Sequence, residues 1–297
     1  MTDLIIETSQ LTKSFKDKQA LRGLDLRVPT GSIFGFLGRN GAGKTTTIKT
    51  LMGLLRSDSG TASVFGIPVA DADRAIAIRQ RIGFVTEDKE LYPYMTVEQI
   101  IAFTRPFFPK WRGELERRYL EMFELPPRQK IPSLSKGMLS KLMLLLAICR
   151  GADLLILDEP TDGLDPAAVE DVLRELVAIA ASSETTMFFS SHQLAEVDLI
   201  ADHIGIIDRG KMIVTGSLDD LKANYQRMQI VLGDSTQPPA HWPEGVESVR
   251  QEGRVVSLLA SHNTDAIAAE AQSIPGATVE RFPVTLKEIF LEHVRSK

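Results

Sequence analysis

The 297-residue chain has one cysteine, Cys149. A single thiol excludes both an intramolecular disulfide and a cysteine-based zinc site. Cys149 lies in the apolar run LMLLLAICR and reads as a small buried side chain. Long apolar runs are lacking too. The longest, Leu142–Cys149, falls far short of the roughly 20 residues that cross a bilayer. The N-terminus, MTDLIIETSQ, has no basic start and no apolar core, so no signal peptide is expected. Neither sign of charge dominates: 34 Lys and Arg face 39 Asp and Glu, a net charge of −5. Nothing global therefore points to nucleic acid or to a membrane surface. There is no internal repeat and no low-complexity tract. These absences predict a cytoplasmic protein whose membrane role, if it has one, comes through a partner.

What the chain does have is a 43% hydrophobic content, enough for a sizeable core. Its length allows one large domain with a small one beside it. The most informative stretch is Phe36–Ile48, FLGRNGAGKTTTI. Gly38, Gly43, Lys44 and Thr45 fit the phosphate-loop pattern G-x-x-x-x-G-K-[ST]. An apolar run, SIFGF, leads in, and the helix-compatible TTTIKTLMGLL leads out. Glycines let the backbone turn so that amide N–H groups converge on an anion. The following helix adds its positive end. The pattern places Lys44 at the β- and γ-phosphates and the Thr45 hydroxyl on Mg²⁺.

Along the chain, Leu4–Glu7 and Leu24–Val28 read as short strands, and Ser32–Leu37 as the strand entering the loop. Arg74–Arg81 reads as a helix and Ile82–Val85 as a buried strand. Glu87–Leu134 has aromatic clusters (LYPYM, FTRPFFPKW) and prolines at Pro93, Pro106, Pro109, Pro126 and Pro127, so it reads as a helical insert. Ser135–Arg150 is a further helix with Ser135 as its N-cap. Leu154–Leu157, Thr186–Ser190 and Ile204–Ile207 are strands that alternate with helices at Pro166–Ala181 and Gln193–Ala201. The result is an α/β fold around a parallel sheet. A boundary falls at Gly216–Arg227. Beyond it, strands at Met228–Leu232, Val255–Ala260 and Ala277–Arg281, with helices at Asp265–Ser273 and Leu286–Val294, make a small α+β module.

Three further groups carry chemistry. LLILDE at Leu154–Glu159 is an apolar strand ending in acid. It puts Asp158 at the sheet edge facing the phosphate loop, where it can hold Mg²⁺, and Glu159 where it can polarise a water. Ser135-Lys136-Gly137-Met138 opens a helix; alone this is an ordinary cap, and its backbone N–H groups are a second anion site only in context. His192 follows a strand at the same edge. Singly it reads as structural; beside Glu159 it can hold that carboxylate and contact a γ-phosphate.

In motif order the chain resembles the ATP-binding subunits of ABC transporters: GRNGAGKTT at Gly38–Thr46, LSKGM at Leu134–Met138, LLILDEP at Leu154–Pro160, GLD at Gly163–Asp165, and His192. The resemblance implies a phosphate-loop ABC ATPase core over residues 1–215, with a helical subdomain at about 87–150 and an accessory α+β module at 216–297. It implies ATP and Mg²⁺ as cofactors. The nucleotide contacts would be Phe15, Gly38, Asn40, Gly41, Gly43, Lys44, Thr45 and Thr46, with Ser135, Gly137 and Asp165 acting across a head-to-tail dimer. Glu159 and His192 would be catalytic, and Thr45, Asp158 and Glu87 would face the metal. Phe15 would stack on adenine, although one aromatic in a polar setting also fits a plain core residue. The implied partners are a second ATP-binding subunit, identical or not, and integral membrane permease subunits at the inner face of the membrane. No nucleic acid is expected.

The chain departs from the family pattern twice. LSKGM replaces the usual LSGGQ, keeping Ser135 and Gly137 but adding the charge of Lys136. The loop after Ile82–Val85 carries Glu87 where the family places glutamine; a carboxylate can still bind Mg²⁺. Both variants resemble single-cassette bacterial exporters of drugs, antibiotics or surface polymers. Tyr92, Tyr94 and Trp111 of the insert fit either a docking surface for a permease or a local core. Two other functions compete. A soluble ABC-type ATPase acting on ribosomes or DNA usually has two cassettes or long inserts, which this chain lacks. A regulator that binds ATP without hydrolysing it would have no need of Glu159 and His192.

Overall fold

The computed structural model describes residues 3–16, 18–88, 90–183, 185–233, 237–239 and 241–295. Its first elements are long. β1 (Leu4–Phe15) and β2 (Lys18–Pro29) pair as an antiparallel hairpin of two 12-residue strands. The sequence predicts only Leu4–Glu7 and Leu24–Val28 here. The pairing shifts register at several points, among them between Thr8 and Leu11. Each shift breaks the two-residue alternation that marks a strand, so the polar half of the hairpin looks like loop.

β3 (Ile33–Leu37) is buried throughout and runs into the glycine loop, from which α1 (Lys44–Leu51) emerges. β4 (Ser59–Val64) and β5 (Ile67–Pro68) join the hairpin in a sheet of order β2-β1-β4-β5. α2 (Ala75–Gln80) and β6 (Ile82–Val85) precede the insert. The insert holds α3 (Val97–Thr104), α4 (Gly113–Met122) and α5 (Lys136–Ile148). There follow β7 (Leu154–Asp158), α6 (Pro166–Ser183), β8 (Thr186–Ser191), α7 (Leu194–Ile200), β9 (His203–Asp208) and β10 (Lys211–Ser217). The central sheet has the order β10-β9-β3-β8-β7-β6. From β9 to β6 its neighbours are parallel. Such strands are covered on both faces and read as unbroken apolar runs, which is why they were legible. Phe188 locks the middle of the sheet, its ring 5.6 Å from that of Phe34 and 5.1 Å from that of Phe36.

The helical insert has its own anchors. Tyr119 is fully buried and stacks on Phe123 at 5.2 Å, while its hydroxyl donates to Glu175 at 3.0 Å. Buried Glu116 accepts from Arg105 at 2.7 and 2.9 Å and from the Trp111 indole at 2.7 Å. Trp111 is thus pinned to Glu116 and does not share the open exposure of Tyr92 and Tyr94, with which the sequence groups it. The exposed aromatic cluster is instead Tyr92, Tyr94, Phe103 and Phe107, in ring contact at 5.5 to 5.7 Å. Among the described residues no helix is long and apolar enough to cross a membrane.

Contacts divide the chain into two units, Met1–Thr215 and Gly216–Lys297. The second holds α8 (Leu218–Asn224), β11 (Gln226–Val231), β12 (Val246–Glu252), β13 (Val255–Ala260), α9 (Thr264–Ser273), β14 (Thr278–Pro283) and α10 (Leu286–Arg295). Its antiparallel sheet has the order β12-β13-β11-β14. Met228, Ile230, Val256 and Leu258 face Ile267, Ala268 and Ala271 of α9. β12 is absent from the sequence reading. It is an edge strand of sequence VESVRQE with mostly exposed side chains, so it has no apolar face to betray it. Part of the proline-bearing loop before it lies outside the described residues.

Candidate functional site

The C-terminal ends of β3, β6, β7 and β8 lie side by side, and the loops that follow them build one site. The register pairs Leu37 with Ser191 and Asp158 with Ser190 across the sheet. Gly43 has φ +119°, and a Cβ there would stand 2.9 Å from the Ala20 carbonyl oxygen. Only glycine fits that turn. It delivers Lys44 as the first residue of α1. The Lys44 ammonium is nearly buried, donates to the Gly38 carbonyl at 2.8 Å and stands 3.4 Å from a Glu159 carboxylate oxygen.

Around this cation is a cavity of about 340 Å³. Phe15, Asn40, Gly41, Gly43, Lys44, Thr45, Thr46, Glu87 and Glu159 line it, so the structure brings together most of the residues the sequence singled out. Phe15 is 47% exposed, which removes the core reading and leaves its ring open to stacking. Lys18 and Arg39 line the same cavity and were missed. Their only signal is proximity to Phe15 and to the loop.

Acidic groups crowd the far wall. Asp158 is buried at the end of β7, where it accepts from the Ser190 hydroxyl at 2.5 Å. Burial pushes its carboxyl above the usual range, against the hydrogen bonds from Ser190 and Thr45, and the charges of Glu87 and Glu159 push the same way. The Thr45 hydroxyl donates to Glu87 at 3.2 Å. Among these oxygens, Asp158, Glu87 and Thr45 are the hard donors that suit Mg²⁺, and the like charges of the two acids call for a counter-cation.

Glu159 has φ +49°. For a residue with a side chain this left-handed backbone costs about 1–3 kcal/mol and persists only where surroundings enforce it. Its amide donates to the Ser190 hydroxyl at 3.2 Å, and its other carboxylate oxygen meets His192 Nδ1 at 2.8 Å. The carboxylate is therefore aimed between Lys44 and the imidazole. The sequence names the residue but not the twist that aims it.

Ser135, Gly137 and Asp165 do not line the cavity in their own chain. Ser135 caps α5, accepting from the Met138 amide at 3.1 Å. Gly137 lies against the turn after β7, where a Cβ would be 2.9 Å from the Gly163 carbonyl oxygen. Asp165 caps α6 by accepting from the Ala168 amide at 3.0 Å, and that bond holds its carboxyl below the usual range. Lys136, the departure from the family signature, pairs with Asp162 at 2.9 Å.

A glycine loop between strand and helix, with acids ending the adjacent strand, defines a phosphate-loop nucleotide-binding protein. Comparison with known proteins narrows this. The profile of the family described as "ABC transporter" matches residues 21–162. A second profile, "AAA domain, putative AbiEii toxin, Type IV TA system", matches residues 127–198. The chain is 33% identical to the daunorubicin resistance ATP-binding protein DrrA3 of Streptomyces coeruleorubidus, over 99% of this chain and 95% of that one. It is 35% identical to the bacitracin transport ATP-binding protein BcrA of Bacillus licheniformis, over 77% and 76%. A solved structure described as the ATP binding subunit of an ABC transporter matches with a TM-score of 0.66 and 29% identity, over 74% of this chain and 92% of that one. The chain belongs to the ABC transporter ATP-binding proteins, whose activity is ATP hydrolysis. Members of this family dimerise and work with membrane permease subunits. The relatives leave the ribosome or DNA reading without support.

Proposed function

We propose that this chain is the ATPase of a bacterial exporter that acts on drug-like or antibiotic cargo, at the inner face of the membrane and through separate permease subunits. The carrying observation is the aim of Glu159, 3.4 Å from Lys44 and 2.8 Å from His192 at the mouth of the nucleotide cavity. ATP lies with its adenine on Phe15 and its phosphates in the amides of Gly38, Asn40, Gly41, Gly43, Thr45 and Thr46. Lys44 turns from the Gly38 carbonyl to the β- and γ-phosphates. Glu159 takes the proton of the attacking water, and His192 holds Glu159 and contacts the γ-phosphate. Thr45, Asp158 and Glu87 would hold Mg²⁺, which would supply neutralising positive charge there.

Ser135, exposed at the start of α5, and the neighbouring Gly137 complete the site of a second subunit, identical or not. Asp165 communicates between the two sites. Residues 1–215 form the ATP-binding domain, with a helical subdomain at about 87–150, and 216–297 an accessory module. The exposed Tyr92, Tyr94, Phe103 and Phe107 are the docking surface for the permease. Support comes from the names of the relatives, one for bacitracin transport and one for daunorubicin resistance, and from that aromatic patch. The test is co-purification from membranes. The wild-type chain is expected to bring down an integral membrane protein. A chain that stays entirely in the soluble fraction and turns over ATP freely overturns the exporter reading.

A further inference from the structure

Behind the site lies a carboxyl that none of the steps above uses. Glu196 stands in the first turn of α7 and is 5% exposed. One of its oxygens accepts two hydroxyls, from Thr161 at 2.8 Å and from Ser191 at 3.0 Å. Its other oxygen, Oε1, is buried with no hydrogen-bond partner among the described residues. Burial of such a group is costly, and a purely structural position is better served by an apolar side chain.

Its two partners explain its presence. Thr161 lies two residues after Glu159, and Ser191 immediately before His192. The register between β7 and β8 ends at the pair Asp158 and Ser190, and its last backbone bond runs from the Glu159 amide to the Ser190 carbonyl at 3.3 Å. Beyond it the two segments are no longer held by strand pairing, yet there the strained Glu159 must meet His192. Glu196 spans this gap from a third element. Ser191 extends the brace, because its hydroxyl also accepts from the Gln193 amide at 2.9 Å and so fixes the entry into α7. Thr161 and Ser191 are themselves buried, at 2% and 0% exposure, so no solvent competes for their hydroxyls.

We propose that Glu196 is a positioning residue for ATP hydrolysis, tying the turn that carries Glu159 to the loop that carries His192. This rests on the reading of Glu159 and His192 as the hydrolytic pair. The role needs an acceptor oxygen in place, not a charge. Glu196→Gln, whose amide oxygen accepts the same two hydroxyls, should therefore behave unlike Glu196→Ala.

The experiment is steady-state ATP hydrolysis by the purified full-length protein, with ATP affinity measured separately. Glu196→Ala should lower kcat about 10- to 100-fold, the scale of a misplaced catalytic group, with ATP affinity within about threefold of wild type. Glu196→Gln should recover kcat to within about threefold. Thr161→Val removes one arm at nearly constant volume and should lower kcat about fivefold, the equivalent of one hydrogen bond. The Thr161→Val, Glu196→Ala double variant should be no slower than Glu196→Ala alone, since both cut the same tie. Should Glu196→Ala not fold, Thr161→Val and Glu196→Gln still decide. Wild-type kcat in Thr161→Val, or loss in Glu196→Gln as deep as in Glu196→Ala, overturns the proposal. Weakened ATP binding at unchanged kcat also overturns it. Failure of the underlying reading looks different: Glu159→Gln would then hydrolyse ATP at the wild-type rate.

Discussion

The two units of this chain bury different things. In Met1–Thr215 the interior holds Lys44, Asp158, Glu159, Thr161, Ser190, Ser191 and Glu196, a connected polar set under the sheet edge. In Gly216–Lys297 no polar or charged residue is fully buried among the described residues; the centre is Met228, Ile230, Val256, Leu258 and the small face of α9. Its charges pair outside, as Arg227 with Glu288 and Arg250 with Glu292. Partly exposed pairs of this kind contribute little. An interior that keeps ionised groups despite their desolvation cost has another use for them. The difference between the units is one of interior chemistry: buried, paired ionisable groups in the first and an apolar centre in the second.

The sharpest way to break that comparison is Glu159→Gln. With Glu159 as the proposed base, the change should lower kcat by about 10³-fold, within the range for general-base catalysis. ATP binding and nucleotide-dependent dimer formation should persist, as read by titration and light scattering. Wild-type turnover would remove Glu159 from its assigned role and with it the reason for its left-handed backbone. Next in size is Lys44→Ala. Two charge-assisted phosphate contacts at about 1.5–3 kcal/mol each imply a loss of about 100-fold or more in ATP affinity. Unchanged affinity by calorimetry would count against the whole cavity as a nucleotide site.

The mirror experiment falls in the second unit. Ile230→Ala deletes a fully buried side chain and should destabilise that unit by about 2–5 kcal/mol. If the division into units is also a division of labour, ATP affinity of the folded protein stays at its wild-type value. Differential scanning calorimetry would show the transition of that unit moving alone. A parallel fall in ATP affinity would mean that the module supports the site.

The same contrast governs what could be read from the sequence. The parallel strands were visible because double-sided burial makes them continuously apolar, and the glycine loop because its turn admits few residues. Lys44, Thr45, Asp158 and Glu159, which the structure gathers at one sheet edge, stand out in the sequence for that reason. β12 and the far half of the β1–β2 hairpin were not, since an exposed face and register shifts erase the period-2 signal. Trp111 was grouped with the exposed aromatics because a sequence does not show that Glu116 waits five residues on. Glu196 was invisible for a deeper reason. Its role depends on reaching Thr161, 35 positions away, and no local pattern marks that pairing.

A smaller effect separates burial for packing from burial for chemistry within the first unit itself. Cys149 is fully buried at the end of α5, and among the described residues no hydrogen bond to its sulfur is found that would stabilise a thiolate. Burial first, and then the nearby Glu116 carboxylate, push its thiol up to about 12. The sign is clear: a raised thiol pKa leaves the neutral form dominant, so at pH 8 the thiolate is about 10⁻⁴ of the total, against roughly a quarter for a free cysteine. Native protein should therefore leave a thiol reagent such as DTNB unreacted over minutes at pH 8. Protein in guanidinium chloride should react at once with one equivalent. Because the packing also blocks access, the native reaction should run through opening, which exposes the thiol at its ordinary pKa, so raising the pH to 9.5 should speed it by no more than the about fourfold seen for a free thiol; ionisation in place at a pKa of about 12 would speed it about 30-fold. Prompt labelling of the folded chain would show that the α5 packing opens readily, and the close contact of Gly137 with Gly163 at the other end of that helix could then not be treated as fixed.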